Sequence, residues 1–164
     1  MKRTLTLIVL MALSFPSHAQ ETGILHLIPL HLELPADWDF DGSSNPIQGR
    51  NPNGEILLIT IVRQREDGTP RDSAQSILDS VLIDFMQSFV KQKKYTVVRD
   101  LTPIPVPEGK AGVSLIAKVN NRKFFNQYSL ASEGVGFYIS HEGPGEAIEA
   151  AKQFDKYLTK QTWD

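Results

Sequence analysis

The chain contains no cysteine. That excludes disulfide staples, a thiol nucleophile and thiolate metal sites, and also the lipidated cysteine that anchors bacterial lipoproteins. Long hydrophobic runs are scarce as well. The longest, Thr4 to Phe15, holds about a dozen residues, short of the ~20 that a membrane-spanning helix needs. Charge of one sign is lacking: 17 Lys and Arg stand against 19 Asp and Glu, a net of −2. Such a balance gives no electrostatic reason to bind nucleic acid or anionic lipid. Catalytic signatures are missing too. There is no Gly-x-Ser-x-Gly elbow, no phosphate-binding loop and no dinucleotide fingerprint.

What is present begins with an export signal. Lys2 and Arg3 precede the apolar stretch, Pro16 breaks it, and Ser17-His18-Ala19 offers the small residues that signal peptidase reads. Met1 to Ala19 is therefore expected to be a cleavable signal peptide. Residues 20–164 are expected to form one domain, delivered to the periplasm without a stable membrane anchor. Without Lys2 and Arg3 the formal charge falls by two from −2, to −4.

Hydrophobic periodicity sets the expected elements. Ile24 to Leu34 reads as extended chain broken by Pro29, and Leu34-Pro35-Ala36-Asp37-Trp38 closes it with a turn. Asp41 to Glu55 is dense in Gly, Asn, Ser and Pro and reads as a loop. Ile56 to Val62 is a β-branched run short enough for a buried strand. The clearest helix follows over Ser73 to Lys94. Asp72 or Ser73 caps it, Gln75 is a capping-box partner to Asp72, and Ala74, Ile77, Leu78, Val81, Leu82, Phe85, Met86, Phe89 and Val90 form its apolar face. After a strand at Tyr95 to Val98, the prolines of Thr102 to Pro107 predict an edge or an extended connection. Ala111 to Val119, Phe124 to Leu130 and Val135 to Ser140 are separated by turn residues and predict an antiparallel meander. Glu146 to Lys160 predicts a second amphipathic helix. The expected fold class is α+β, a central antiparallel β-sheet flanked by two amphipathic helices.

This order resembles the PsbP-like fold, shared by Mog-type Ran-binding proteins and the periplasmic DcrB-like proteins. The turn Leu34 to Trp38, the long helix, the meander and the closing helix with Phe154 and Leu158 carry the resemblance. The absence of a lipobox cysteine departs from DcrB-like lipoproteins. The resemblance implies a domain that binds other proteins rather than an enzyme. Small exported domains of this kind recur as immunity proteins, which neutralise secreted antibacterial toxins by binding them. A cell-envelope assembly or accessory binding factor is the alternative. A small hydrolase or calcium-dependent protein is the less favoured one.

Three constellations have chemical content. Asp37-Trp38-Asp39-Phe40-Asp41-Gly42 matches the first half of a calcium loop, with Asn45 as a further oxygen ligand. Gln48 stands where the bidentate glutamate belongs, so an acidic surface loop with Trp38 and Phe40 turned inward is expected, with weak calcium binding at Asp37, Asp39, Asp41 and Asn45 as the alternative. No cofactor is expected, calcium being the one weak alternative. His26 and His31 are an odd number apart and fall on opposite faces of a regular strand unless Pro29 bends the chain. No third ligand is apparent, so hydrogen-bonded or solvated histidines are expected. Asn121, Arg122 and Lys123 form a charged hairpin which, with Asp41 and Asn45 of the long loop, is the expected contact surface for a protein partner.

Overall fold

The computed structural model describes residues 22–43, 45–64 and 68–164; the expected signal peptide lies outside them. Strands β1 (Thr22–His26), β2 (Leu30–Pro35), β3 (Asp39–Asp41), β4 (Ile47–Arg50) and β5 (Ile56–Arg63) come first. A helical segment follows as α1 (Ala74–Ile77), a π-helical turn at Leu78–Leu82, and α2 (Ile83–Lys93). Then come β6 (Thr96–Pro103), β7 (Ala111–Asn120), β8 (Lys123–Ser132), β9 (Val135–Pro144), α3 (Ala147–Leu158) and β10 (Thr162–Trp163).

The main sheet is seven-stranded and antiparallel, in the order β3-β4-β5-β9-β8-β7-β6. Its two faces carry separate cores, because side chains alternate along each strand. One face sends Ala131, Leu115, Ala117 and Tyr138 against Ile77, Leu78, Leu82, Met86 and Val90 of the long helical segment. The other sends Phe124, Tyr128, Leu130, Phe137 and Ile139 against Ala147, Ala151, Phe154 and Leu158 of α3. A second sheet, β1-β2-β10, completes this layer and contributes Leu30, Leu32 and Leu34. The α+β sandwich expected from periodicity is present, with this small sheet as an addition.

Local chemistry explains the details. Ser73 caps α1, its Oγ accepting from the Ser76 N–H at 3.2 Å. Gln75 donates instead to Asp79 at 2.9 Å, so the expected capping box with Asp72 does not form. Buried residues along the helix step by four from Leu78 through Leu82 and Met86 to Val90. A 3.6-residue helix drifts by about 40° with each such step. The wide π turn absorbs part of that drift. Val81 and Phe85, expected inside, are consequently 44% and 49% exposed. The loop expected at Asp41 to Glu55 contains a strand, β4, paired with both β3 and β5. There the Phe40 ring lies over Gly49, filling the space a side chain would need. The prolines after Leu101 do blunt an edge, since β6 is the last strand of the sheet and its register with β7 is irregular.

Candidate functional site

His141 is the buried polar residue that demands explanation. It lies on β9, opposite Leu57 of β5 and Asn126 of β8, and is 4% exposed. Neither ring nitrogen has a hydrogen-bond partner among the described residues. Aromatic rings surround it, with centroids at 4.8 Å (Phe124), 5.0 Å (Phe154) and 6.1 Å (Trp38). Glu55 faces it, with Oε2 3.5 Å from Nε2.

Glu55 is held by the turn that precedes it. Asn51 Oδ1 accepts from the backbone N–H groups of Asn53 (3.1 Å) and Glu55 (3.0 Å), and Asn51 Nδ2 donates to Glu55 Oε2 at 2.7 Å. Gly54, at φ +80°, takes the left-handed conformation the turn requires. Gly143 lets this corner close: a Cβ there would stand 2.8 Å from Glu55 Cγ and 3.1 Å from Phe124 Cζ. The facing His141 imidazole holds the Glu55 carboxyl below the ordinary value near 4.5, against the opposing effect of burial, and the Asn51 amide adds to the effect.

These residues form one end of a cleft of about 340 Å³. Trp38, Phe124, Phe154 and Tyr157 supply apolar walls, while Asp37, Glu55, Glu146 and Glu149 supply carboxylates. Among the described residues no lysine or arginine lines it. Glu149 is partly neutralised by Lys152 at 2.7 Å, and the N-terminal end of α3 offsets some of the negative charge. A negative field remains at the Tyr157 hydroxyl: burial raises its pKa first, and the charges of Glu55 and Asp37 raise it further. Anionic groups beside the half-buried rings of Trp38 and Tyr157 suit an organic cation such as a guanidinium or ammonium group.

The expected site residues are distributed differently. Asp37 lines the cleft, but Asp39 and Asp41 lie on extended β3, opposite Arg50 and Gln48. Asp41 accepts from the Ser43 hydroxyl (2.6 Å) and backbone N–H (3.0 Å), which lower its pKa. Asn45 exchanges two hydrogen bonds, each 3.0 Å, with the backbone of Ile61. The chain is therefore a strand where a calcium loop would curl. Among the described residues no three His, Asp or Glu side chains gather to hold a metal. Asn121, Arg122 and Lys123 sit at the β7–β8 turn, where Lys118 donates to Asn121 (3.2 Å) and Lys123 pairs with Glu142 (2.9 Å). Arg122 adjoins the cleft through its carbonyl, which accepts from the Gly145 N–H at 2.9 Å. By register, this hairpin and the Asp41–Asn45 turn lie at opposite ends of the sheet, so they do not form one surface. The sequence reading missed Glu55, Glu146 and Tyr157 as site residues. Asn51-Pro52-Asn53-Gly54 was the available signal, a tight turn able to present Glu55.

Neither a family model nor the sequence of a curated protein matches the chain. Structural comparison does find a likeness. The solution structure of cyanobacterial PsbP (CyanoP) from Synechocystis sp. PCC 6803 aligns with a TM-score of 0.57 at 12% identity, covering 83% of this chain and 87% of that one. A crystal structure from Bacteroides thetaiotaomicron VPI-5482 aligns at 11% identity over 83% of this chain and 45% of that one, with a TM-score of 0.47, too low to bear on the fold. The class defined by this architecture is the PsbP-like α+β fold. Among the described residues no helix is long and apolar enough to cross a membrane.

Proposed function

We propose that this is a periplasmic, non-catalytic protein-binding domain whose cleft seats a cationic side chain of its partner. In its most concrete form it is an immunity protein that occludes a secreted antibacterial toxin with a basic face. The observation that carries this reading is the convergence of Asp37, Glu55 and Glu146 with Trp38 and Tyr157 around one opening that, among the described residues, holds no lysine or arginine. An arginine or lysine stem packs on such aromatic walls while its charged head meets the carboxylates.

A binding role also suits His141 better than a hydrolytic one. Ser140 precedes it on β9 and faces the opposite core, and among the described residues no serine or threonine lines the cleft. A nucleophile would have to stand within hydrogen-bond reach of the imidazole.

The test is capture of the partner from the periplasm by tagged wild-type protein and by the double variant Asp37→Asn/Glu146→Gln. Both positions are exposed, so the variant should fold. One stoichiometric toxin-like protein, retained by wild type, lost by the variant and released by salt, is the expected result. Equal capture by both proteins overturns the cleft as the contact site. Deletion of the gene should poison cells only while the gene for the captured protein is expressed, and indifferent growth overturns the immunity role.

A further inference from the structure

We propose that His26 and His31 form a binding site for a divalent transition-metal ion, Cu2+ foremost, with Asp164 as the positioning residue. The site lies at the opposite end of β2 from the cleft and is independent of the reading above. The β1–β2 hairpin turns between these histidines and sets them directly across from each other. Opposed cross-strand residues share a face. Their Nδ1 atoms are 2.7 Å apart, and the rings meet edge to face with centroids 4.8 Å apart.

Two imidazole nitrogens coordinating one metal at ~2.0–2.1 Å lie about 2.9 Å apart when the angle between them is a right angle, and about 3.3 Å apart at a tetrahedral angle. The observed separation is nearer the first. That favours tetragonal Cu2+, which is also the tightest binder in its row.

The second partner of His31 sets its tautomer. Asp164 Oδ1 accepts from His31 Nε2 at 2.9 Å, so in the neutral ring the Nδ1 lone pair is bare and aimed at His26. Without metal, His26 Nδ1–H donates to it. On binding, neutral His26 carries its proton on Nε2 instead, and both Nδ1 lone pairs turn to the ion with no net proton released. His26 is exposed, so water reaches the remaining coordination positions.

The backbone pre-organises the pair. The Leu27 N–H donates to the Leu30 carbonyl at 2.7 Å and closes the hairpin. Thr162 pairs with His31, and the Asp164 N–H donates to the Pro29 carbonyl at 2.9 Å, which holds the carboxylate beside the ring. Ordering a site that already exists costs little.

The experiment is calorimetric titration with Cu2+ of the untagged protein purified from periplasm, with electron paramagnetic resonance of the complex. One ion per chain, showing coupling to two nitrogens, is expected. His26→Gln and His31→Gln should each weaken binding at least tenfold, with far-UV circular dichroism unchanged. Asp164→Asn should weaken it about tenfold, the usual scale of such outer partners, and Asp164→Glu should restore it. Absence of Cu2+ binding to wild type overturns the proposal. So does unchanged affinity in the double variant His26→Gln/His31→Gln, or a spectrum without nitrogen coupling.

Discussion

At the scale of single residues, His141 and Glu55 carry the most information. A buried polar group without a hydrogen bond costs about 1–3 kcal/mol. Both ring nitrogens of His141 are in that position. Replacing the residue by leucine removes the polar atoms at similar volume. The lost contact with the Glu55 carboxylate offsets that relief, so His141→Leu should unfold in urea within about 1 kcal/mol of wild type. A loss of 3 kcal/mol or more would show instead that the imidazole makes an essential structural contact. Glu55 gives a pH signature. Its folded pKa is lowered, so its contribution is complete above the ordinary value near 4.5 and is lost as pH falls through the folded value. Glu55→Gln should cost about 1 kcal/mol at neutral pH. The gap to wild type should close in acid as the wild-type carboxyl protonates. Denaturation midpoints of both proteins from pH 7 down to pH 3 test this, and a constant gap contradicts it.

At the scale of elements, the close approach of the π turn to the sheet is the feature to probe. Gly136 of β9 faces Ile77 and Leu82, and a Cβ there would stand 3.0 Å from a methyl of each. Those methyls belong to packed helical residues that are 7% and 1% exposed, so they have little room to move. Gly136→Ala should cost about 1–3 kcal/mol, as overpacking does. A thermal melt measures it, and an unchanged midpoint would mean that the helix lifts freely from the sheet. Much of the element structure was legible in advance. Alternation and turn residues delimited β7, β8 and β9, and periodicity delimited α3. The sides of the long helix were not legible, because nine apolar residues offered more surface than one face can bury. Only packing against β8 and β9 chose Met86 over Phe85.

At the scale of the whole molecule, one sheet serves two cores. Met86 anchors the layer of α2 and Phe154 that of α3; both are at most 1% exposed. If the sheet couples the layers, the domain unfolds in one step. Met86→Ala should then cost about 2–5 kcal/mol and Phe154→Ala about 3–5 kcal/mol. Circular dichroism and tryptophan fluorescence should give coincident curves for each variant. Curves that separate in either would reveal independently melting layers.

Local rules of periodicity, turn chemistry and composition were sufficient for what the sequence determined by itself: an export signal and a single domain as expectations, a cysteine-free α+β fold, a meander with two covering helices, and the absence of the common catalytic motifs from the sequence. The tertiary structure decided which distant residues meet. It brought Asp37, Glu55, His141, Glu146 and Tyr157, spread over more than half the chain, to one cleft. It also placed His26, His31 and Asp164 side by side, where strand parity alone had set the two histidines apart. The physical reason is the same in both cases. Contacts across strands depend on pairing register and on which way the chain turns, and neither is written in the spacing of residues along a single segment.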